Sequence, residues 1–131
     1  MPGITVDPSR APLLFVRFDG VVDDEAFARY LEQVRAFVAR GVRYAVVLDA
    51  TTAGVPSAAQ RRMQTDQTRN DFTRIQSLCV GGAFVIPSPL VRGGLTAMLW
   101  VQPLPFPHKL VADLASAEAW CRTQLATPLV S

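Results

Sequence analysis

The chain is poor in the side chains that usually carry chemistry: among 131 residues it has one histidine, two cysteines and only 18% charged side chains. Each shortage removes a class of function. His108, Cys79 and Cys121 do not form a recognisable zinc set, the two cysteines lack CxxC spacing, and no Asp/Glu cluster offers an oxygen cage to a harder ion. No metal is expected. Gly81-Gly82 and Gly93-Gly94 stand outside any G-x-G-x-x-G or Walker pattern, so they read as sites of close packing and no cofactor follows from them. The two thiols are expected to be free and buried, as isolated cysteines are in a reducing compartment. A net charge of +2, from thirteen basic and eleven acidic residues, leaves no electrostatic footprint for nucleic acid or an anionic membrane. There is no run of 18 apolar residues to span a bilayer, and Met1-Pro2-Gly3-Ile4-Thr5-Val6-Asp7 lacks the basic start and apolar core of a secretion signal. The expectation is a cytoplasmic protein that does not insert into membranes.

What is present is apolar bulk. Half the residues are hydrophobic, and the length suits one domain over 1–131 with a core that needs neither disulfide nor metal. The low charge suggests apolar surface covered by a partner or ligand. Ile4-Thr5-Val6 and Leu13 to Phe18 read as a hairpin around the turn Asp7-Pro8-Ser9-Arg10-Ala11-Pro12. Phe27, Tyr30, Leu31, Val34, Phe37 and Val38 repeat at helical spacing, behind the acidic start Asp23-Asp24-Glu25 and ahead of Gly41. Tyr44 to Leu48, ending in Asp49, predicts a central strand covered on both faces.

Ser57-Ala58-Ala59-Gln60 has capping-box spacing and opens a second helix of about five turns. That helix is unusually polar: between Gln60 and Gln76 only Met63, Phe72 and Ile75 are clearly apolar, so it must be largely solvated or bound elsewhere. Val80 to Ile86 predicts a third central strand, and Ser88-Pro89 an N-cap with proline in the first helical position. The third helix has almost no polar face and stops at Pro103, Pro105 and Pro107. Lys109 to Ala112 gives a last strand and Ala115 to Leu125 a last helix, with Ala117, Trp120, Cys121 and Leu125 on one side. Ala126 to Ser131 reads as a frayed tail. The fold class is α/β: a small mixed, largely parallel sheet of about five strands with four helices, in the order β-β-α-β-α-β-α-β-α.

This order, with Leu48-Asp49 closing a strand, a polar second helix, an apolar third and Ala117-Glu118-Ala119-Trp120 in the last, resembles the SpoIIAA-like branch of the STAS (STAS/SEC14-type) domains from about residue 4 to 125. The resemblance implies a regulatory module acting through protein contacts, without an enzymatic site. In STAS antagonists a Ser at a helix start after the Asp-ending strand is phosphorylated to switch partners. Asp49 matches that pattern, whereas Ser57-Ala58 stands where an Asp-Ser pair would be, so a switch at Ser57 needs a shifted register. Thr51 and Thr52 are the other hydroxyls in that stretch.

A Ser-His-Asp hydrolase is a distant third reading. Asp49, Ser57, Ser88 and Asp113 belong at the carboxyl ends of the strands, whereas His108 precedes the last strand, and Ile86-Pro87-Ser88-Pro89-Leu90 is not a G-x-S-x-G elbow. Arg61, Arg62, Arg69 and Arg74 are interleaved with Asp66 and Asp71 without an aromatic platform, so they read as a solvated face in preference to a nucleic-acid surface. Ser57 and Ser88, each opening a helix, are ordinary caps or, with Arg61 or Arg92 nearby, anion sites. Asp49, Thr51, Thr52, Ser57, Ser88 and Arg92 are thus the candidate regulatory or anion-binding residues.

The third helix admits three readings. It lies buried in the core; or Leu95, Met98, Leu99 and Trp100, with Phe106 from the proline-rich loop, form an oligomer or partner surface; or those residues line a pocket for an apolar, lipid-like molecule. The leading expectation is a protein-interaction module acting as a homodimer, and the alternative a carrier or sensor of a small apolar ligand.

Overall fold

A computed structural model describes residues 2–127. Five strands, β1 (Gly3–Asp7), β2 (Leu13–Gly20), β3 (Tyr44–Ala53), β4 (Cys79–Val85) and β5 (His108–Val111), lie side by side in sequence order. β1 is antiparallel to β2, and β2 through β5 run parallel to one another. Helices α1 (Asp24–Val38), α2 (Ala58–Asn70), α3 (Phe72–Leu78), α4 (Pro89–Val101) and α5 (Leu114–Ala126) complete the chain. This is the mixed α/β sheet read from the sequence, with one helix more. The expected frayed tail begins at Ala126, which instead closes α5, and beyond Thr127 it lies outside the described residues.

Strand alternation divides the sheet cleanly. Leu14, Val16, Tyr44 and Cys79 face α1 and α3, and Ala50, Phe84 and Ile86 continue that face toward α4. Leu13, Ala45, Val47, Ala83 and Val85 face the other way onto Ala117 and Cys121 of α5, with Trp120 and Leu125 alongside. Both cysteines are free and buried, one on each side of the sheet. The register of β4 slips between Cys79 and Gly81 opposite Tyr44-Ala45. A bulge here adds one residue, which lets Cys79 and Gly82 share a face although they differ in parity. Gly81 abuts the Trp120 ring, where an added Cβ would stand 2.9 Å from Cζ3. Arg43 secures α5 from below, donating to the carbonyls of Gln124, Leu125 and Thr127 at its open C-terminus.

The extra helix comes from a break in the expected second one. Asp71 has φ −103° and ψ 13°, outside helical geometry, while its carboxylate binds Arg35 of α1 at 3.1 Å. The chain turns at that point and α3 brings Ile75 and Leu78 onto the core. α1 ends at Val38, followed by Gly41 at φ +72°, a conformation that costs glycine little. β3 runs past Asp49 to Ala53, so Thr51 and Thr52 belong to a strand rather than a loop.

Candidate functional site

The polar second helix docks through its glutamines. Gln60 is buried and donates through Nε2 to the Val22 carbonyl at 2.8 Å and the Asp24 carboxylate at 3.0 Å. Gln67 Nε2 donates to the Leu31 carbonyl at 2.9 Å. Between them Gln64 accepts from the Tyr30 hydroxyl at 2.7 Å, and buried Thr68 back-bonds to the Gln64 carbonyl at 2.9 Å. Positions 60, 64, 67 and 68 follow the i, i+4, i+7, i+8 spacing of a core-facing stripe, written here in amides and a hydroxyl. That spacing was the available signal for these residues, which a search for apolar side chains passes over.

A helix attached by amides to α1 supplies little apolar bulk to the sheet below it. The other roof element supplies little more, because none of α4's residues is buried. The reading of α4 as a core helix is therefore corrected: its sequence is apolar nearly all round, but the helix stands off the sheet, with Val91 and Leu95 turned inward and Leu90, Trp100 and Val101 turned to solvent at 75%, 85% and 67% exposure. Several positions beneath the roof are small, notably Ala50, Ala53 and Gly54. The result is a cavity of about 200 Å³ between the α1–α4 face of the sheet and the helices above it.

Its lining comes from every element of that face. Leu48, Val46 and Phe84 form part of the floor, Phe18, Phe27 and Tyr30 one wall, and Leu95, Met98, Leu99 and Phe106 the opposite side. Tyr30 meets Phe18 and Phe27 edge-on, with ring centroids 5.0 and 5.3 Å away, and the two phenylalanine rings tilt against each other at 6.4 Å. The lining contains no Asp, Glu, Lys, Arg or His. Its polar side chains are Tyr30, Tyr44, Gln64, Thr65, Thr68 and Gln102. Arg69 of α2 donates to Gln102, just past the end of α4, at 3.2 Å and ties the two roof helices together. Burial pushes the hydroxyls of Tyr30 and Tyr44 well above the usual phenol range, so both stay neutral donors.

Four of the five residues singled out on the third helix and proline-rich loop, Leu95, Met98, Leu99 and Phe106, thus meet in one cavity. Trp100 does not join them; it lies on the outer face of α4. The candidate regulatory residues are each engaged locally. Asp49 accepts from the backbone N–H and hydroxyl of Thr51, and Thr52 donates to Asp19 at 2.8 Å. Ser57 and Gln60 form the capping box of α2, while Ser88 accepts from Val91 N–H at the start of α4. Arg92 donates to the Ile86 carbonyl at 2.8 Å. His108 stacks on Phe84 at the first residue of β5, with centroids 5.9 Å apart. In the parallel register it stands opposite Gly82, whereas Ser88 follows the far end of β4.

No known family profile and no curated protein matches the chain. Among the described residues no helix is long and apolar enough to cross a membrane. Solved structures do match. An uncharacterised DUF3478-family protein of SpoIIAA-like fold from Shewanella loihica superposes with a TM-score of 0.64 at 16% identity, over 92% of this chain and 95% of that one. The anti-sigma factor antagonist SpoIIAA in its unphosphorylated form gives 0.62 at 11% identity, over 93% and 98%. An anti-sigma factor antagonist from Mycobacterium paratuberculosis gives 0.59 at 16% identity, over 93% and 95%. The near-complete mutual coverage of these superpositions leads to one conclusion: this chain has the SpoIIAA-like fold.

Proposed function

We propose that the chain is a STAS-type binding domain that holds a small apolar molecule between its sheet and the α2/α4 roof, and that it works by binding rather than by catalysis. The cavity carries this reading. It offers about 200 Å³ lined almost wholly by apolar side chains, and an apolar occupant gains contact with those walls while leaving water. A dry cavity of about 150 Å³ is already enough to take up benzene.

The test is thermal unfolding with and without near-saturating benzene. Filling the site should raise the midpoint by about 5 °C or more, and Leu95→Trp, which places an indole in the cavity from a helix that packs loosely, should abolish the rise. An unchanged midpoint in the unaltered protein would overturn the reading.

A second reading, contact with a protein partner, is favoured by the outer face of α4. Leu90, Trp100 and Val101 are all exposed there, and an exposed tryptophan in an apolar patch is a frequent interface anchor. The fold is shared with anti-sigma factor antagonists, and self-association through this face makes a homodimer. Native mass spectrometry across a concentration series reads the subunit count. Dimers that disappear in Trp100→Ser support this reading, and monomers at every concentration remove self-association.

A further inference from the structure

The walls of the cavity define the chemistry of its occupant more narrowly than apolar character alone. With no charged side chain in the lining, a carboxylate, phosphate or ammonium group would be stripped of water without a counter-charge, a cost far beyond what apolar contact in so small a space returns. Aromatic rings contribute on several sides, from Phe18, Phe27, Tyr30, Tyr44, Phe84 and Phe106. One polar strip interrupts them. The Tyr30 hydroxyl donates to Gln64 Oε1 at 2.7 Å, and Gln64 Nε2 lies 3.5 Å from Thr68 Oγ1. This chain leaves hydrogen-bonding capacity over: Gln64 Nε2 has a second N–H, and the Tyr30 oxygen keeps its lone pairs. Size sets the last limit. Ordinary drug-sized pockets run from about 300 Å³ upward, so about 200 Å³ suits one or two rings and is too small for a long acyl chain.

Resting on the cavity reading above, we propose that the ligand is an uncharged, one- or two-ring molecule carrying a single hydroxyl, ring N–H or carbonyl directed to the Tyr30–Gln64–Thr68 strip, an oxygen accepting from Gln64 Nε2 or a ring N–H donating to the Tyr30 oxygen. A long acyl chain is not enclosed by a space of this size. The strip selects the polar group, and the aromatic walls supply the contact that binds the ring.

The experiment compares four probes of similar size, toluene, phenol, indole and benzoate, by ligand-observed NMR titration at pH 7. Phenol and indole should bind about three- to tenfold more tightly than toluene, the ratio one net hydrogen bond gives, and benzoate should not bind. Gln64→Leu should bring the phenol-to-toluene ratio to about one while toluene still binds, which also shows that the variant keeps its folded cavity. Tyr30→Phe is the second variant, expected to reduce the phenol preference without removing toluene binding. Toluene bound as tightly as phenol, benzoate bound at all, or a ratio untouched by Gln64→Leu would each refute the head-group assignment while leaving an apolar cavity. Failure of all four probes to bind would overturn the cavity reading itself.

Discussion

Replacing Gly82 by alanine tests how the cavity floor is built. A Cβ at Gly82 would stand 2.7 Å from Phe106 Cε2, 3.0 Å from Val46 Cγ1 and 3.2 Å from Phe84 Cε1. The first distance requires movement. Phe106 is the group able to move, but its loop is pinned, because Gly82 N–H donates to the Pro107 carbonyl at 2.9 Å. Overpacking a fitted site costs about 1–3 kcal/mol. Removing a strand glycine returns about 0.5–1 kcal/mol of backbone entropy, so the net loss lies between about 0 and 2.5 kcal/mol, with about 1 kcal/mol as the central expectation. The assay is guanidinium unfolding followed by circular dichroism, with Gly82→Ala measured in the native background and again in Phe106→Ala. With the ring removed, the alanine methyl has room, and the two substitutions should couple by about 1 kcal/mol. Equal costs in both backgrounds would show that Phe106 does not rest on Gly82.

Two further outcomes follow from groups away from the cavity. Arg43→Met should cost about 2 kcal/mol and speed hydrogen exchange in the last turn of α5, since Arg43 serves three terminal carbonyls there; unchanged exchange in that turn would remove its capping role. Burial pushes the Cys79 thiol up to about 12 and the Cys121 thiol up to about 11. The folded state therefore binds these protons more tightly than the unfolded chain. The stabilisation is fully present below the ordinary thiol pKa and is lost as pH rises from about 9 through those values. Between pH 8 and pH 10 the protein should lose on the order of 2 kcal/mol more than its Cys79→Ala/Cys121→Ala variant in urea unfolding. Parallel losses in the two proteins would show that the thiols do not contribute.

Much of the architecture was legible because it rests on short-range rules. The short apolar runs Leu13 to Phe18 and Tyr44 to Leu48, helical spacing from Phe27 to Val38, and the caps at Ser57 and Ser88 all correspond to observed strands, helices and N-caps. The break at Asp71 was hidden because no proline or glycine marks it, and its carboxylate meets Arg35 of another helix. The docking stripe Gln60, Gln64, Gln67, Thr68 was hidden for a different reason. Amides signal exposure in composition, and they become core-facing only where Val22, just before α1, and Asp24, Tyr30 and Leu31 within it stand as partners.

Local sequence, then, determined the order of the strands and of every helix but α3, the sign and smallness of the charge, and the presence of one helix too apolar to be an ordinary solvated surface. It did not determine which side of that helix meets protein. Leu95, Met98, Leu99 and Trp100 are all large side chains with mostly apolar surface, and which side of α4 turns inward separates the first three, which line the cavity, from Trp100, which faces solvent. What that inner side meets is non-local: Ala50 and Ala53 of β3, Gln64, Thr65 and Thr68 of α2, and the Phe106 ring close against Gly82. A cavity is a shortfall of volume among residues distant in sequence, so it takes shape only when the packed chain brings them together.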